Sequence, residues 1–377
     1  MTSASPPAPH LDIFLVAPPG LEPVLAAEAL EAGFLDATAV PGGVSISGGW
    51  DTVWRANLVL RGATRVLVRI GGFRAFHLAQ LDKRARKFDW GAVLRPDVPV
   101  RVQVSINRKS KIYHAGAAAQ RIEKAITEEL GAPISDEADV QIKARFDDNF
   151  VTFSVDSSGE SLHKRGHKTG VGKAPIRETL AALFLRQMGY DGREPVLDPM
   201  CGSGTFVIEA ADWAKGALPG RARHFAFETF ATFDAQQWEA LRRQPLAAPE
   251  THPRFFGSDR NEAVVKMAQA NARAAGLEAL CDFRHAAISE LERPPGPPGL
   301  IMVNPPYGTR IGNKKLLYAL YGSLGSVLKE RFSGWRVGIV TSDESLARAT
   351  DLPFDPPGAP VPHGGLKIRL YATPALR

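Results

Sequence analysis

Three short motifs, each placed directly after an apolar segment, carry the residue types best suited to chemistry. They are Asp198-Pro199-Met200-Cys201-Gly202-Ser203-Gly204-Thr205, Gly257-Ser258-Asp259 and Asn304-Pro305-Pro306-Tyr307. A short apolar run that stops at such a motif is typical of a buried strand. In open α/β sheets, ligands bind outside the carboxyl ends of the strands. We therefore expect the three motifs to meet at one edge of a sheet.

The first motif combines an acid, a Gly-x-Gly turn and the start of a helix. Gly202 and Gly204 allow the chain to turn tightly and to lie against a ligand, which the amides at the helix N-terminus then face. The spacing differs from the G-x-G-x-x-G of dinucleotide-binding folds, and the motif lacks the lysine of a phosphate loop. An ordinary strand-to-helix turn is the alternative. The full string favours a cofactor site.

The second motif ends in Asp259, whose carboxylate can accept hydrogen bonds from both hydroxyls of a ribose. The alternative is a helix N-cap, because a helical pattern begins at Asn261. Taken with the first motif, the ribose role is favoured.

Asn304-Pro305-Pro306-Tyr307 is the predicted reaction centre. The two prolines hold the backbone and remove two amide donors, so the loop presents acceptors: the Asn304 side-chain oxygen and the Pro305 carbonyl. Such acceptors can hold both N–H groups of an exocyclic amine on a nucleobase. Tyr307 offers a flat face for a base that has left its stack. A plain turn is the alternative, because Asn-Pro and Pro-Pro dipeptides form turns.

The elements that must position these motifs follow from the apolar pattern. After Lys168, strand-sized apolar runs alternate with helical patterns, which predicts a mostly parallel sheet covered by helices. A last strand at 366–371 can run antiparallel to 336–341. The preceding residues predict one or two small mixed α/β modules, with a hairpin around Asp147-Asp148-Asn149. The strands of the later part are predicted at 195–198, 255–258, 300–303 and 336–341.

Composition narrows the class of protein. The chain has 377 residues, 44% of them hydrophobic, which predicts two or three globular domains. No apolar run reaches the roughly 20 residues that a membrane helix needs, and Met1–His10 resembles a short disordered lead rather than a signal peptide. Two cysteines and scattered histidines predict a reduced, cytoplasmic protein without a metal site. We also expect a monomer.

A formal net charge of +6 permits a polyanionic partner without requiring one. Basic residues gather in three clusters outside the expected catalytic core, and each cluster alone is more often a solvated surface. Together they favour contacts with RNA phosphates. The predicted RNA-binding residues are Lys83, Arg84, Arg108, Lys109, Lys111, Tyr113, Lys164, Arg165 and Lys168.

The motifs resemble those of class I methyltransferases that act on amino groups of nucleic acids. The 198–205 string looks like their motif I, and Asn304–Tyr307 like their motif IV. The finer resemblance is to bacterial RNA methyltransferases with a THUMP domain, and in particular to the half of the 23S rRNA enzyme that makes N2-methylguanine. It covers nearly the whole chain, from A-P-P-G-L-E at 17–22 through S-K-I-Y-H-A-G-A at 110–117, L-H-K-R-G at 162–166 and A-P-I-R-E-T-L-A at 174–181 to V-P-H-G-G-L-K-I-R-L at 361–370.

This resemblance implies a domain order and a cofactor. The expected order is a ferredoxin-like segment at 1–60, a THUMP RNA-binding domain at 61–160 and a Rossmann-like domain with a mostly parallel seven-stranded sheet at 161–377. S-adenosylmethionine is the implied methyl donor. Its expected binding residues are Pro175, Asp198, Met200, Cys201, Gly202, Gly204, Thr205, Asp259, Arg260, Ala287 and Asn304.

Two departures from the family pattern matter. Ala286 stands about where the family usually has an acid that contacts the adenine amine, so adenine recognition is expected to use backbone groups or another side chain. The chain also ends soon after the last strand, so a second methyltransferase domain and 7-methylguanine activity are not expected.

The resulting hypothesis is methyl transfer to the exocyclic N2 of a guanine in 23S rRNA. Three alternatives stay open: guanine N2 of tRNA, adenine N6 of RNA, and an RNA-binding assembly factor that has lost catalysis. The motif alone does not separate guanine from adenine.

Overall fold

A computed structural model describes residues 10–168, 170, 176–244, 246, 253–307 and 314–377. Of the predicted disordered lead Met1–His10, only His10 is among them. Pro175, an expected cofactor residue, also lies outside the described residues.

The chain forms two compact units, and neither is continuous in sequence. The first unit consists of residues 1–17, 26–162 and 223–244. The second consists of residues 18–25, 163–222 and 245–377. Residues 223–244 therefore pack with the first unit although they lie in the stretch predicted as the methyltransferase domain. This grouping into two units does not test the predicted division into three domains, which stays a prediction.

The first unit is built on a seven-stranded sheet in the order β2-β3-β1-β4-β7-β6-β5. The hairpin predicted at Asp147-Asp148-Asn149 is confirmed, since Asp148 and Asn149 take positive φ angles between antiparallel strands β6 and β7. The strands are β1 (Leu11–Val16), β2 (Thr38–Val40), β3 (Gly43–Gly48), β4 (Arg65–Arg74), β5 (Val100–Ile106), β6 (Val140–Asp147) and β7 (Phe150–Asp156).

Helices α2 (Trp50–Val59), α3 (Leu78–Ala85) and α4 (Ala115–Leu130) belong to the first unit, and α1 (Glu22–Glu31) begins in the second unit and ends in the first. An additional helix, α7 (Ala235–Arg242), comes from the later segment. Its Trp238 and the neighbouring Phe227 lie 4.9 Å apart, and Phe227 in turn lies 6.1 Å from Trp54 on α2. All three rings are buried. An aromatic core thus ties residues 223–244 to the first unit.

The second unit contains the sheet that carries the motifs, in the order β10-β9-β8-β11-β12-β14-β13. Strands β8 to β12 are parallel, and β14 runs antiparallel to β12, as the sequence allowed. The strands are β8 (Val196–Asp198), β9 (Phe255–Asp259), β10 (Cys281–His285), β11 (Leu300–Val303), β12 (Arg336–Thr341), β13 (Val361–His363) and β14 (Leu366–Ala372).

Helices connect the parallel strands, and β11, apolar and fully buried, lies at the centre of the sheet. The core on one side of the sheet includes Tyr321, Phe332 and Trp335. No helix within the described residues is both long and apolar enough to span a bilayer. The helices are α5 (Glu178–Gln187), α6 (Thr205–Ala214), α8 (Glu262–Ala274), α9 (Lys314–Arg331) and α10 (Glu344–Ala349).

Candidate active site

The three motifs meet at the carboxyl edge of the second sheet, the edge at which its parallel strands end. Asp198 is the last residue of β8 and lies beside Gly257 of β9, while Asn304 directly follows β11. Because β9, β8 and β11 are adjacent and parallel, their end residues lie side by side. The prediction of a common edge is confirmed.

The glycine turn after β8 depends on the absence of side chains at two positions. Gly202 and Gly204 both have positive φ angles, 52° and 86°. A Cβ on Gly204 would lie 3.0 Å from the Phe283 ring, whereas a Cβ on Gly202 would meet no atom of the described residues within 4 Å. Gly204 is thus packed against the protein, and Gly202 faces open space where a ligand can lie against the backbone.

Asp259 ties this turn to the end of β9. Its Oδ2 accepts a hydrogen bond from the Gly202 amide at 3.1 Å, and its Oδ1 accepts one from the Asn261 amide at 2.9 Å. The N-cap of α8 is Asn261, whose side chain accepts from the Ala263 amide at 3.0 Å. The alternative reading of Asp259 as the helix cap is therefore wrong, and its carboxylate is oriented by two amides at the turn.

Asp198 is buried, and among the described residues its carboxylate accepts one hydrogen bond, from the Met200 amide to Oδ1 at 3.0 Å. Burial, with a smaller contribution from the negative charge of Asp259, raises the pKa of Asp198 to about 8. Loss of hydration makes the ionised form costly. A cationic group bound nearby would favour that form, which makes this edge suited to a positively charged ligand.

The Asn304–Tyr307 loop holds a buried acceptor, the Oδ1 atom of Asn304. Within the part of the chain that the structure describes, this atom has no hydrogen-bond partner. Pro305 is buried, and the Pro306 carbonyl accepts a bond from the Tyr321 hydroxyl at 3.4 Å. The Tyr307 ring is partly buried against the apolar core. A buried amide oxygen without a donor costs roughly 1–3 kcal/mol, and a substrate N–H can relieve that cost.

The loop after β10 lies close to Asp259 through its backbone. The Ala286 amide donates to the Asp259 carbonyl at 3.1 Å, and the Ala287 amide donates to Glu290 Oε2 at 2.9 Å. Arg260 is exposed, and its carbonyl lies 3.0 Å from His285 Nε2. Glu290, which the sequence reasoning did not single out, therefore places a carboxylate beside the alanine pair that lacks the family's acid.

The sequence reasoning also missed the polar contacts beneath the glycine turn. The fully buried Asn271 donates to the carbonyls of Ser203 and Gly170, at 3.1 and 3.0 Å. Lys168 Nζ donates to Glu178 at 2.7 Å and to the Thr205 hydroxyl at 3.1 Å. An isolated Asn within an amphipathic helix carries no signal in a single sequence, so only the fold could identify it.

The predicted RNA-binding residues divide by their surroundings. The prediction that Arg165 binds RNA is wrong, because its guanidinium is buried and ion-paired with Glu209 at 2.9 Å and so cannot reach a phosphate. Lys168 is half-buried in the contacts described above. The others are exposed, Lys164 in the second unit and the following in the first: Lys83, Arg84, Arg108, Lys109, Lys111 and Tyr113. Among the described residues, no group of acids, histidines and cysteines could hold a metal ion.

Comparison with known proteins identifies the family. Residues 165–353 match the RMKL-like methyltransferase domain, and residues 12–67 match the RlmL ferredoxin-like domain. The chain belongs to the RMKL-like methyltransferase family. The predicted family and the Rossmann-like fold with an N-terminal ferredoxin-like domain are thereby confirmed, and S-adenosylmethionine is the cofactor that this family implies. The expected THUMP domain stays a prediction.

Two curated relatives cover most of the chain. The ribosomal RNA large subunit methyltransferase K/L of Syntrophotalea carbinolica is 33% identical over 357 residues, which are 90% of this chain and 50% of that enzyme. The chain thus spans about half the length of that relative. The protein slr0064 of Synechocystis, provisionally assigned as an RNA methyltransferase, is 30% identical over 366 residues, 93% of each chain.

A solved structure supports the same fold over the full length. SMU.472, provisionally assigned as a methyltransferase and crystallised with SAH, has a TM-score of 0.86 and 27% identity. The match covers 98% of this chain and 99% of that one. In the RMKL-like chain, the residues at the carboxyl edge fit S-adenosylmethionine: the surface at Gly202 is open, the Asp259 carboxylate is oriented, and the buried Asp198 favours a cation.

Proposed function

We propose that this chain transfers a methyl group from S-adenosylmethionine to the exocyclic N2 of a guanine in 23S ribosomal RNA. One observation carries the proposal: the buried Asn304 Oδ1 has no partner among the described residues, and it lies at the same edge of the sheet as Asp198 and Asp259. A buried acceptor without a donor is rare in proteins and usually has a functional reason. An exocyclic amine, which has two N–H donors, satisfies it.

The division of roles follows the strand order. Asp259 and the Gly202 turn hold the cofactor at the ends of β8 and β9, where Asp259 accepts from the ribose hydroxyls and Asp198 lies below. When bound, S-adenosylmethionine supplies an electrophilic methyl group. The cofactor side of the edge also includes four residues that follow β10 or β8 in the chain: Ala287, Met200, Cys201 and Thr205. Arg260 directly follows β9 and is exposed, and no specific contact with the cofactor is proposed for it.

Asn304 and the Pro305 carbonyl orient the target amine. By accepting its two N–H groups, they turn the nitrogen lone pair toward the methyl donor and favour a tetrahedral nitrogen. Tyr307 supports the base, and Pro305 and Pro306 keep the acceptors in place. Positioning and electrostatics supply most of the rate. The nitrogen–carbon bond would form as the carbon–sulfur bond breaks, with S-adenosylhomocysteine as the leaving group. No strong base is required, because the nitrogen proton becomes acidic as the nitrogen gains positive charge and can pass to water.

RNA contacts are proposed for the exposed basic residues of the first unit. Lys111 lies 5.5 Å from the centre of the Phe76 ring, and Tyr113 is 86% exposed two residues later. Exposed aromatic rings beside cations suit stacked bases and phosphates. Phe76 adds a second aromatic residue to a cluster that the sequence indicated through Arg108, Lys109, Lys111 and Tyr113.

The test is nucleoside mass spectrometry of rRNA and tRNA from a strain that lacks the gene, complemented with wild type or Asn304→Ala. We expect one N2-methylguanine of 23S rRNA to disappear and to return only with wild type. Loss of a tRNA nucleoside alone, or of N6-methyladenine, would replace the proposed substrate. No change in either RNA, together with absent binding of S-adenosylmethionine by the folded protein, would favour an assembly factor.

A further inference from the structure

A β-hairpin rises past the carboxyl edge of the second sheet, and the roles assigned above leave it without a function. The last pair between β12 and β14 joins Thr341, the end of β12, to Arg369. Residues 366–368 of β14 therefore extend beyond the end of β12 and pair only with β13, as in His363↔Leu366 and Val361↔Ile368. At about 3.3 Å per residue, the hairpin extends roughly 10 Å above the sheet.

The hairpin and the cofactor half flank Asn304 from opposite sides. The strand order is β9-β8-β11-β12-β14, so Asp259 and Asp198 end on one side of β11 and the hairpin rises on the other. Two strand spacings, about 10 Å, separate β11 from β14. Since the cofactor occupies the first side in the proposed function, the side of the hairpin is left open for RNA to approach Asn304.

The tip is a tight turn next to an exposed apolar side chain and an exposed basic one. Gly364 and Gly365 have φ angles of 56° and 83°, which a tight two-residue hairpin turn requires. Val361 and Ile368 are buried and anchor the two strands. Leu366, by contrast, is 44% exposed, and Lys367 next to it is also exposed. An apolar side chain on an exposed, anchored tip has no evident part in stabilising the fold.

These side chains match one kind of partner. A base that turns out of its stack leaves a gap, and proteins that deform nucleic acids fill or hold such gaps with apolar wedges. An adjacent lysine can contact the neighbouring phosphate as a point charge. Because successive residues of a strand point to opposite faces, the tip presents the apolar side chain on one face and the cation on the other, and an RNA strand with one base displaced can meet both as it passes the tip.

We propose that the β13–β14 hairpin grips the RNA strand next to the target base, with Leu366 against the gap that the base leaves and Lys367 on an adjacent phosphate. The inference rests on the proposed function, because it takes the Asn304 loop as the place that receives the base. It implies that residues outside the three motifs help to determine which RNA sequence around the target base the protein accepts.

The lysine is tested by salt dependence, with the full chain and a 23S rRNA fragment that the wild type methylates. Lys367→Ala is expected to weaken RNA binding and to lower the slope of log K against log salt by about 0.7–0.9, the value for one phosphate contact. Lys329→Ala, which removes an exposed lysine near the C-terminal end of α9, is the matched control and should keep the wild-type slope. Equal slopes for all three proteins would overturn the phosphate contact.

The leucine is tested by single-turnover kinetics. Leu366→Ser is expected to lower the rate of methyl transfer at saturating RNA roughly tenfold, a barrier change of about 1.4 kcal/mol. Its affinity for S-adenosylmethionine and its melting temperature should match wild type, because the side chain is exposed. Leu35→Ser, at an 85% exposed leucine of the first unit, controls for the loss of surface hydrophobicity.

The two proposals fail in different ways. If the wild type methylates guanine N2 and Leu366→Ser is as fast as Leu35→Ser, the hairpin proposal is wrong and the proposed function stands. If the wild type binds S-adenosylmethionine but methylates neither rRNA nor tRNA, the proposed function fails, and the hairpin proposal fails with it.

Discussion

The two halves of the carboxyl edge differ in how their polar groups are satisfied. On the β8–β9 half, both Asp259 oxygens accept backbone amides, and the Cys201 amide donates to the Ser258 carbonyl at 2.9 Å. On the β11 half, Asn304 Oδ1 is buried and receives no hydrogen bond from residues 10–307 or 314–377 where these are described, and the two prolines of its loop have no amide N–H. One half is oriented by its own hydrogen bonds, whereas the other keeps an acceptor open.

The difference indicates a division of labour. Preformed hydrogen bonds hold the ligand-facing turn in one shape before a ligand arrives, so less ordering is required on binding. An acceptor kept open gains its bond only when the substrate amine is present, and it can contribute most as that amine reacts. Variants of the first half should therefore act on cofactor affinity, and variants of the second on the chemical step.

The largest effect is expected from Asn304→Ala. Loss of the open acceptor should lower the single-turnover rate about 10²–10³-fold, the range for removal of one preorganised catalytic hydrogen-bonding group. Affinity for S-adenosylmethionine, measured by calorimetry, should change little. A variant that transfers methyl at the wild-type rate would abolish the contrast between the halves.

Asp259→Ala should give the opposite pattern. The variant loses the carboxylate that orients the turn and that is proposed to accept from the ribose, and hydrogen bonds to charged groups contribute about 1.5–3 kcal/mol each. Affinity for S-adenosylmethionine should fall about 10–100-fold, while the rate at saturating cofactor falls far less. Asp282→Ala, at a carboxylate on neighbouring β10 that pairs with Arg284, is the control and should bind normally.

Asp198 should make the ligand-free protein less stable as the pH rises. Its pKa is raised to about 8 from 3.8, so between these values the folded state holds a proton that the unfolded state has lost. Its contribution to stability is complete below pH 4 and is lost as the pH approaches 8, with a limiting slope of about 1.4 kcal/mol per pH unit. Denaturant unfolding at several pH values should show that Asp198→Asn lacks this decline; identical pH profiles would mean that Asp198 stays ionised.

The smallest effect concerns the two glycines of the turn. Both have positive φ angles, so an alanine at either position is strained by about 1–2 kcal/mol. Gly204→Ala should lower the melting temperature further, because its Cβ would also press on Phe283, whereas Gly202→Ala should chiefly weaken cofactor binding. Equal melting temperatures would show that the packing at Gly204 relaxes without cost.

Much of this edge could be predicted because its signals are local. The apolar run 300–303 matches β11, and 336–341 matches β12, since buried parallel strands are short and continuously apolar. Glycine and proline mark the turns by their own backbone limits. Those features located the three motifs without any knowledge of tertiary contacts.

Other features depend on contacts between residues that are far apart in the sequence, so they could not be predicted from local patterns. Strand β10 was missed, because in Cys-Asp-Phe-Arg-His only Cys281 and Phe283 are buried, as suits a strand at the edge of a sheet. Arg165 belonged to a basic cluster in sequence, but its pairing with Glu209 spans 44 positions. The Leu366 exposure likewise became visible only through the register of β14.

The aromatic core around Trp238 has a consequence for biosynthesis. Residues 223–244 complete the first unit, yet the ribosome makes them after Asp198 and the glycine turn of the second. The N-terminal unit therefore cannot finish folding when residue 162 leaves the ribosome, and chains cut there would expose Trp54 and its neighbours. The first unit can therefore be completed only after residues 163–222 of the second unit have been synthesised.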